Sequence, residues 1–460
     1  MIDAAAFRDL LSAHIFLETT PTGLARAPGR LDVMGGIADY SGSLVLELPL
    51  AAAAWAAVQW THDGLVHVRT TDAAAAHGSL DVALPLVDLL SDYPAVRRAF
   101  AATPDRHWAA YVVGAITVLH RERGVPFDRG VRWLIASDVP AGKGVSSSAA
   151  IEVAAMLALC RLMDVSLDGR TLARLCQTVE NLVVGAPCGV MDQMTAACGD
   201  ANALLALRCQ PSELEASVPV PAEVELFGID SGIRHAVSGA DYTSVRVGAF
   251  MGYRIIASLA GLPATSDGPG RVRIEDDRWH GYLANITPQE WDAEFRDRVP
   301  EALTGAAFLD QFGGSTDPVT TIEAGRTYAV RQPTAHPILE HDRVKRFRDL
   351  LRGAPDDAAL RALGQLMYAS HASYSACGLG SRGTDEIVSL VRDAGPAAGL
   401  FGAKITGGGS GGTVAVLARR GSRGAIDEIV AEYSRRSGRH ATVIAGSSDG
   451  ALRVGRRQWM

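Results

Sequence analysis

Between a strand-like run at 131–137 and a helix-like run at 147–163, the chain carries Asp138-Val-Pro-Ala-Gly-Lys-Gly-Val-Ser-Ser-Ser-Ala-Ala-Ile-Glu152. A strand that passes through a glycine turn into a serine-rich helix start leaves little choice of local fold. Gly142 and Gly144 let the backbone turn tightly and approach a ligand closely. The helix start offers unpaired N–H groups and a partial positive charge, which suit a phosphate, and a serine hydroxyl there can ligate Mg²⁺. The segment is not a Walker A loop, because Lys143 is followed by Gly144 rather than by Ser or Thr. Taken alone, it reads almost as well as a plain serine cap.

The remaining pattern mixes strands and helices. Strands are expected at 43–50, 52–59, 64–70, 131–137, 203–208, 224–229, 401–405, 412–417 and 441–445. Helices are expected at 108–122, 147–163, 172–183, 240–262, 342–351, 358–374, 385–393 and 423–436. The stretch from about 263 to 332 is polar and turn-rich and reads as an excursion. At 460 residues, 48% of them hydrophobic, the chain is long enough for two cores. The expected class is α+β, with domains at 1–208 and 209–460 and the active site in the cleft between them.

Composition excludes several functions. With 44 Lys and Arg against 51 Asp and Glu, the formal charge is −7, and no dense basic block is present; a nucleic-acid partner is not expected. The longest apolar stretch, 44–58, holds Glu47 and Pro49 and is too short and too polar to cross a membrane. The first 17 residues lack a basic region followed by an apolar run, so no secretory signal is expected. The six cysteines show no CxxC or zinc-type spacing and read as free thiols of a reducing, cytoplasmic setting.

Three further segments carry chemistry. Ala27-Pro-Gly-Arg-Leu-Asp-Val-Met-Gly-Gly-Ile-Ala-Asp-Tyr-Ser-Gly-Ser43 places Arg30 and Asp39 among glycine and apolar residues, where a charge needs a partner. Gly185-Ala-Pro-Cys-Gly-Val-Met-Asp-Gln193 holds Asp192. Lys404-Ile-Thr-Gly-Gly-Gly-Ser-Gly-Gly-Thr413 sets five glycines in six residues between two strand patterns, as in a turn that approaches another loop or a phosphate.

In this order the motifs resemble those of the GHMP small-molecule kinases, and within them the galactokinase branch; Asp230-Ser-Gly-Ile-Arg-His235 and Asp241-Tyr242 resemble the segment that opens that family's C-terminal domain. The stretches 29–43, 185–194 and 404–413 are most similar to the kinase domain of L-arabinokinases. The resemblance covers almost the whole chain, with 263–332 its weakest part.

That resemblance implies roles. Asp192 takes the proton of the sugar's anomeric hydroxyl, and Arg30 holds Asp192 as a carboxylate and stabilises charge around the transferring phosphoryl group. A salt bridge of purely structural purpose is the plainer reading of this pair. Ser148 and Glu180 bind Mg²⁺, with Ser146 and Ser147 as alternatives to Ser148. Pro140, Gly142, Gly144, Val145, Ser146, Ser147 and Ser148 cradle ATP, and Gly408 and Gly409 buttress that loop. Trp108 and Tyr111 line the adenine, or are core aromatics. Arg30, Gly36, Ile37, Asp39, Cys188, Gly189, Asp192 and Tyr242 contact the sugar.

One departure bears on the substrate. Galactokinases carry Gly-Glu-His-Thr-Asp where this chain has Gly35-Gly36-Ile37-Ala38-Asp39. L-Arabinopyranose is D-galactopyranose without its CH₂OH group, so Gly36 and Ile37 fit a sugar with nothing polar there. An unpaired C6 hydroxyl against Ile37 costs roughly 1–3 kcal/mol. The expected activity is phosphorylation of L-arabinose at the anomeric hydroxyl. Alternatives are D-galactose as substrate, a catalytically inactive sugar sensor, and a GHMP-family decarboxylase, which the sugar motifs disfavour. Whether the protein is a monomer or a homodimer is left open.

Overall fold

A computed structural model describes residues 2–14, 20–71, 79–233, 240–353 and 355–454, with the backbone alone at 240–241. Arg234, His235 and the side chain of Asp241, which the resemblance involved, lie outside the described residues. By internal contacts the chain forms two compact units: Met1–Leu31, Leu48–Leu205 and Gly446–Met460 in the first, Asp32–Glu47 and Ala206–Ala445 in the second. These units interleave along the chain, whereas the sequence placed a single boundary at 208/209.

In a sheet made mostly of first-unit residues, strands Asp81–Pro85, Leu65–Thr70, Val131–Ser137 and Leu44–Trp60 lie in that order, with Ala203–Arg208 on the far side of Leu44–Trp60 and Thr22–Met34 also paired to it. Leu65–Thr70 runs parallel to Val131–Ser137, and Leu44–Trp60 runs antiparallel to it. The two strands expected at 43–50 and 52–59 are one 17-residue strand; Pro49 does not interrupt it. Helices Ala110–Arg123, Ser147–Leu162, Gly169–Thr178 and Met191–Cys198 pack against one another. Ser147–Leu162 is apolar nearly all round and accordingly buried from Ala149 to Cys160, apart from Ile151.

The second unit is built on an antiparallel sheet ordered Leu400–Ile405, Thr413–Arg419, Val224–Asp230, Thr442–Ala445. Helices Arg382–Ala394 and Arg423–Ser437 cover it, and Asp357–Ala376 packs along its first strand. The helix expected at 342–351 runs from Arg331 to Arg352. Its early half hid behind Pro333, which lies in the first turn where no N–H is needed, and Pro337, which lies inside the helix. The stretch 263–332 is a packed layer: Trp279, Leu283, Trp291, Phe295, Val299 and Phe308 join one apolar core with helices Ala240–Leu259 and Arg331–Arg352. A two-bond ion pair, Arg246 Nε and Nη2 to Asp317 at 2.9 and 2.8 Å, ties that layer down.

All six cysteines are free; Cys188 and Cys198 are half-buried and the rest buried. Among the described residues no helix is long and apolar enough to cross a membrane.

Candidate active site

The glycine turn after Val131–Ser137 passes through positive φ at Gly142, Gly144 and Ser146 (68°, 71° and 59°) before the helix begins at Ser147. It lies directly on strand Thr22–Met34. A Cβ at Gly29 would stand 2.7 Å from the Val145 carbonyl oxygen, so only glycine allows the approach in which the Arg30 amide donates to that oxygen at 3.0 Å. Arg30 then reaches three ways. Its Nη1 donates to Gly144 O at 2.7 Å, while Nε and Nη2 meet Asp192 Oδ1 at 2.9 and 2.8 Å. The Arg30 side chain is 3% exposed and that of Asp192 is 21% exposed, so the carboxylate is the more accessible of the two.

Asp192 sits in the first turn of helix Met191–Cys198, where the helix dipole favours an anion. Its Oδ2 accepts from the Ser146 hydroxyl at 2.5 Å. Ser146 therefore serves Asp192, leaving Ser147 and Ser148 at the helix start. It caps nothing with its side chain, so the plain-cap reading fails for this serine.

Behind Asp192 lies a carboxylate group. Helix Gly169–Thr178 widens into a π turn, Val179–Val184, that carries Glu180. Its carboxylate accepts from Gln193 Nε2 at 2.6 Å, and the same amide donates to Glu152 Oε2 at 3.0 Å. The Glu180 carboxyl is pushed up to about 7, by burial first and by Asp192 next, against hydrogen bonds from Ser148, Cys188 and Gln193. Glu152 is raised well above the usual carboxylate range by burial and then by Glu180. Its Oε1 has no hydrogen-bond partner. A cation fits such a place: hydroxyl and carboxylate oxygens suit Mg²⁺, and positive charge offsets what burial and mutual repulsion penalise.

Glu152 and Gln193 fall within the sequence motifs but carry no expected role. Their signal was position: Gln193 follows Asp192, and Glu152 stands one helical turn beyond Ser148 on the same helix.

The 185–190 stretch is fixed by Asn181, whose Oδ1 accepts from the Cys188 amide at 2.9 Å, and by Gln177 Nε2 donating to Cys188 O at 3.3 Å. Cys188 and Gly189 are half-buried, as is Pro140. Tyr111 stands in the field of Glu180, Glu152 and Cys188, and burial above all raises its hydroxyl far above the usual range. Trp108 lies in the short 3₁₀ turn Pro104–Ala109, half-buried, its indole N–H donating to Ser79 O at 2.9 Å.

In the second unit the turn Gly36–Ser41 brings Gly36, Ile37 and Asp39 together, all buried. Asp39 Oδ1 accepts from the Tyr40 amide at 2.6 Å. Ile37 packs with Val245, Tyr374, Cys377, Leu379 and Ile405, and Tyr40 and Tyr242 lean on this group; the two tyrosine rings meet edge to face at 6.0 Å. Beneath the turn, Asp32 and Lys404 form a fully buried ion pair at 2.6 Å. Asp32 Oδ1 also accepts from the Gly36 amide at 3.0 Å. Gly408 and Gly409 lie in the turn between the sheet strands Leu400–Ile405 and Thr413–Arg419, with Ser410 N donating to Leu379 O at 2.6 Å. The Lys404–Asp32 pair and Tyr374, which lie against this turn, carried no expected role.

The family model "GHMP kinases N terminal domain" matches residues 110–200, and "GHMP kinases C terminal" matches 357–440. The L-arabinokinase of Arabidopsis thaliana is 45% identical over 479 residues, covering 94% of this chain and 46% of that protein, so the chain spans less than half of that relative. The galactokinase of Streptomyces coelicolor is 31% identical over 452 residues, covering 97% of each. Among solved structures, Lactococcus lactis galactokinase complexed with galactose matches with a TM-score of 0.76 at 20% identity, over 97% of this chain and 98% of that one. Methanococcus jannaschii mevalonate kinase matches at 0.57 and 13% identity, over 94% and 99%. These two likenesses are of fold.

Proposed function

We propose a substrate and a mechanism for a chain that belongs to the galactokinase family of the GHMP kinases and is a sugar kinase. The substrates are L-arabinose and ATP, and the product is L-arabinose 1-phosphate with ADP. The sugar's anomeric oxygen bonds to the γ-phosphorus, the bond from that phosphorus to the β–γ bridging oxygen breaks with its electron pair leaving on ADP, and the hydroxyl proton passes to Asp192.

Phosphoryl transfer of this kind asks the protein mainly for positioning and charge stabilisation. Arg30, bonded to Asp192 and to the loop carbonyl of Gly144, keeps the acceptor carboxylate in register with the phosphate loop. The Ser146 hydroxyl fixes its second oxygen. The N–H groups from Gly142 to Ser148 receive the phosphates, with Gly408 and Gly409 in the buttressing role. Ser148 and Glu180 would hold Mg²⁺, which when bound neutralises phosphate charge. Asp39 accepts from ring hydroxyls and Tyr242 adds a polar contact; Trp108 and Tyr111 take the adenine side.

The observation that carries the choice of sugar is the burial of Ile37, 1% exposed, among apolar side chains. A pentopyranose brings no C6 hydroxyl there; a hexose brings one that costs about 1–3 kcal/mol if unpaired, about 10–100-fold in kcat/KM. The identity to an L-arabinokinase, 45% against 31% for a galactokinase, supports the same choice. D-Galactose is the second reading, favoured by the galactokinases that match the chain along nearly their full length.

The test is ADP release with Mg-ATP across L-arabinose, D-galactose, D-galacturonate, D-glucuronate and no sugar. L-Arabinose leads in kcat/KM by about tenfold or more. A lead for galactose keeps the kinase and overturns the reading of Gly36 and Ile37.

A further inference from the structure

Gly36 has a φ of +43°, and a Cβ built on it would stand 1.5 Å from the Tyr374 hydroxyl oxygen and 2.7 Å from Tyr374 Cζ and Asp32 Oδ2. The space of a side chain at this position is therefore already filled, by a residue on helix Asp357–Ala376. Tyr374 is wholly buried, and its hydroxyl is used in both directions. It accepts from the Ile37 amide at 2.9 Å and donates to Gly407 O at 3.1 Å. Burial, then the charge of Asp32, holds that hydroxyl well above the usual tyrosine range, so it stays a donor. The ring itself is pinned, with His336 edge-on at 5.2 Å and Lys404 Nζ at 5.2 Å from its centroid.

We propose that Tyr374 is the positioning residue that sets sugar selectivity: its hydroxyl occupies the place of a residue-36 side chain and ties the 36–41 turn to the 406–412 glycine loop. This inference rests on the reading of Gly36 and Ile37 as sugar-facing. Its content is a coupling between two positions 338 apart in sequence. An acidic side chain at 36, as galactokinases carry, cannot enter while Tyr374 stands there, so Gly36→Glu with Ile37→His does not by itself convert this pocket to hexose use. Removing the Tyr374 hydroxyl frees the Ile37 amide and the Gly407 carbonyl together, loosening the turn that bears Ile37 and Asp39.

Wild type, Tyr374→Phe, Gly36→Ala and the double variant form the test. Each is measured for thermal midpoint, KM for ATP, and kcat and KM for L-arabinose and D-galactose. Tyr374→Phe raises the sugar KM by about tenfold, the worth of a buried hydrogen bond, with kcat and the ATP KM within about threefold. Gly36→Ala alone loses sugar kcat/KM by about 100-fold or does not fold. The double variant recovers at least about threefold of that loss, or part of the lost stability, because the 1.5 Å approach is gone and only the 2.7 Å approaches to the ring and to Asp32 Oδ2 remain to be absorbed. The backbone strain of alanine at positive φ is the same in both backgrounds and cancels. Equal cost of Gly36→Ala with and without the Tyr374 hydroxyl, or no double-variant folding where Tyr374→Phe folds, overturns the proposal, as does an unchanged sugar KM in a folded, active Tyr374→Phe. If wild type uses neither sugar, the substrate reading has failed separately, and additive midpoints in the four proteins overturn the coupling while non-additive ones sustain it.

Discussion

The two groups of site residues are built on opposite principles. In the first unit, Arg30 and Ser146 hold the partly open Asp192, and Gln193 bridges Glu180 and Glu152, whose carboxyls feel the charge of Asp192. In the second, Gly36 and Ile37 sit in an apolar group whose charged pair, Asp32 and Lys404, is sealed beneath it. The first arrangement brings acidic side chains close enough that burial and mutual repulsion raise Glu180 and Glu152. The second surrounds Ile37 with apolar side chains and holds the backbone of its turn through the Tyr374 hydroxyl and Asp32. Damage to the first should show in kcat; damage to the second should show in folding, KM and selectivity.

The sharpest way to break that division is Asp192→Asn. A general base contributes about 10²–10⁴-fold, so kcat falls by that range while ATP affinity, measured by fluorescence or calorimetry, changes little. A variant with full kcat would remove the base assignment and with it the contrast.

Next in size is Lys404→Met. Taking one partner from a fully buried ion pair leaves the other charge uncompensated, at a cost of about 3–5 kcal/mol. Denaturant midpoints should show this loss, and Asp32→Asn with Lys404→Met together should lose less than Lys404→Met alone. A loss under about 1 kcal/mol would mean that the pair bears no structural weight.

Acid should also act on the second unit. The Leu44 amide donates to His341 Nδ1 at 3.0 Å, which needs an unprotonated nitrogen. Burial first, then Lys345 and Arg208, hold His341 down to about 4 from the usual 6.5. His336 is held to about 3, by burial and then Arg343. Below pH 6.5 the unfolded chain takes up protons that the folded chain refuses, so stability falls as pH drops from about 6.5 toward 4. His341→Gln should reduce the difference in unfolding free energy between pH 7 and 4.5 by about 2–3 kcal/mol. An unchanged difference would show that His341 titrates normally in the fold.

The same contrast explains what the sequence made legible. The strands at 131–137 and 203–208 and the helix from 147 were readable because apolar spacing and the glycine turn lie within one short window. The expectations for the first unit rested on the same kind of window, with Ser146 and Ser148 beside the glycines, while Gln193, next to Asp192, carried no expected role. What failed depended on distance. Tyr374 bonds the Ile37 amide from 337 residues away, and Lys404 meets Asp32 from 372; no local pattern marks either. The helix at 331–352 was cut short because prolines weigh against a helix locally, while its buried face, Ile338 and Ala335 among it, is satisfied by the 263–332 layer, itself read as an excursion. Tertiary burial outweighed propensity in both.

The smallest expected effect is also the one that most refines the contrast. Ile37→Thr keeps a β-branched side chain in the turn but places one hydroxyl where the pocket now has none. The gain for a hexose is one hydrogen bond and the loss for a pentose is one buried, weakly partnered hydroxyl, each about 1 kcal/mol. The galactose-to-arabinose ratio of kcat/KM should therefore rise by about thirtyfold. The effect should fall mainly on KM, since no group that meets the phosphates has changed. The stability cost, an ethyl group exchanged for a hydroxyl in a buried cluster, is about 2–3 kcal/mol and must be measured in parallel, because a loosened turn alone would weaken both sugars equally and leave the ratio where it was. An unchanged ratio in a folded variant would mean that Ile37 shapes the turn without facing the sugar, and the choice of L-arabinose over D-galactose would lose the observation that carries it.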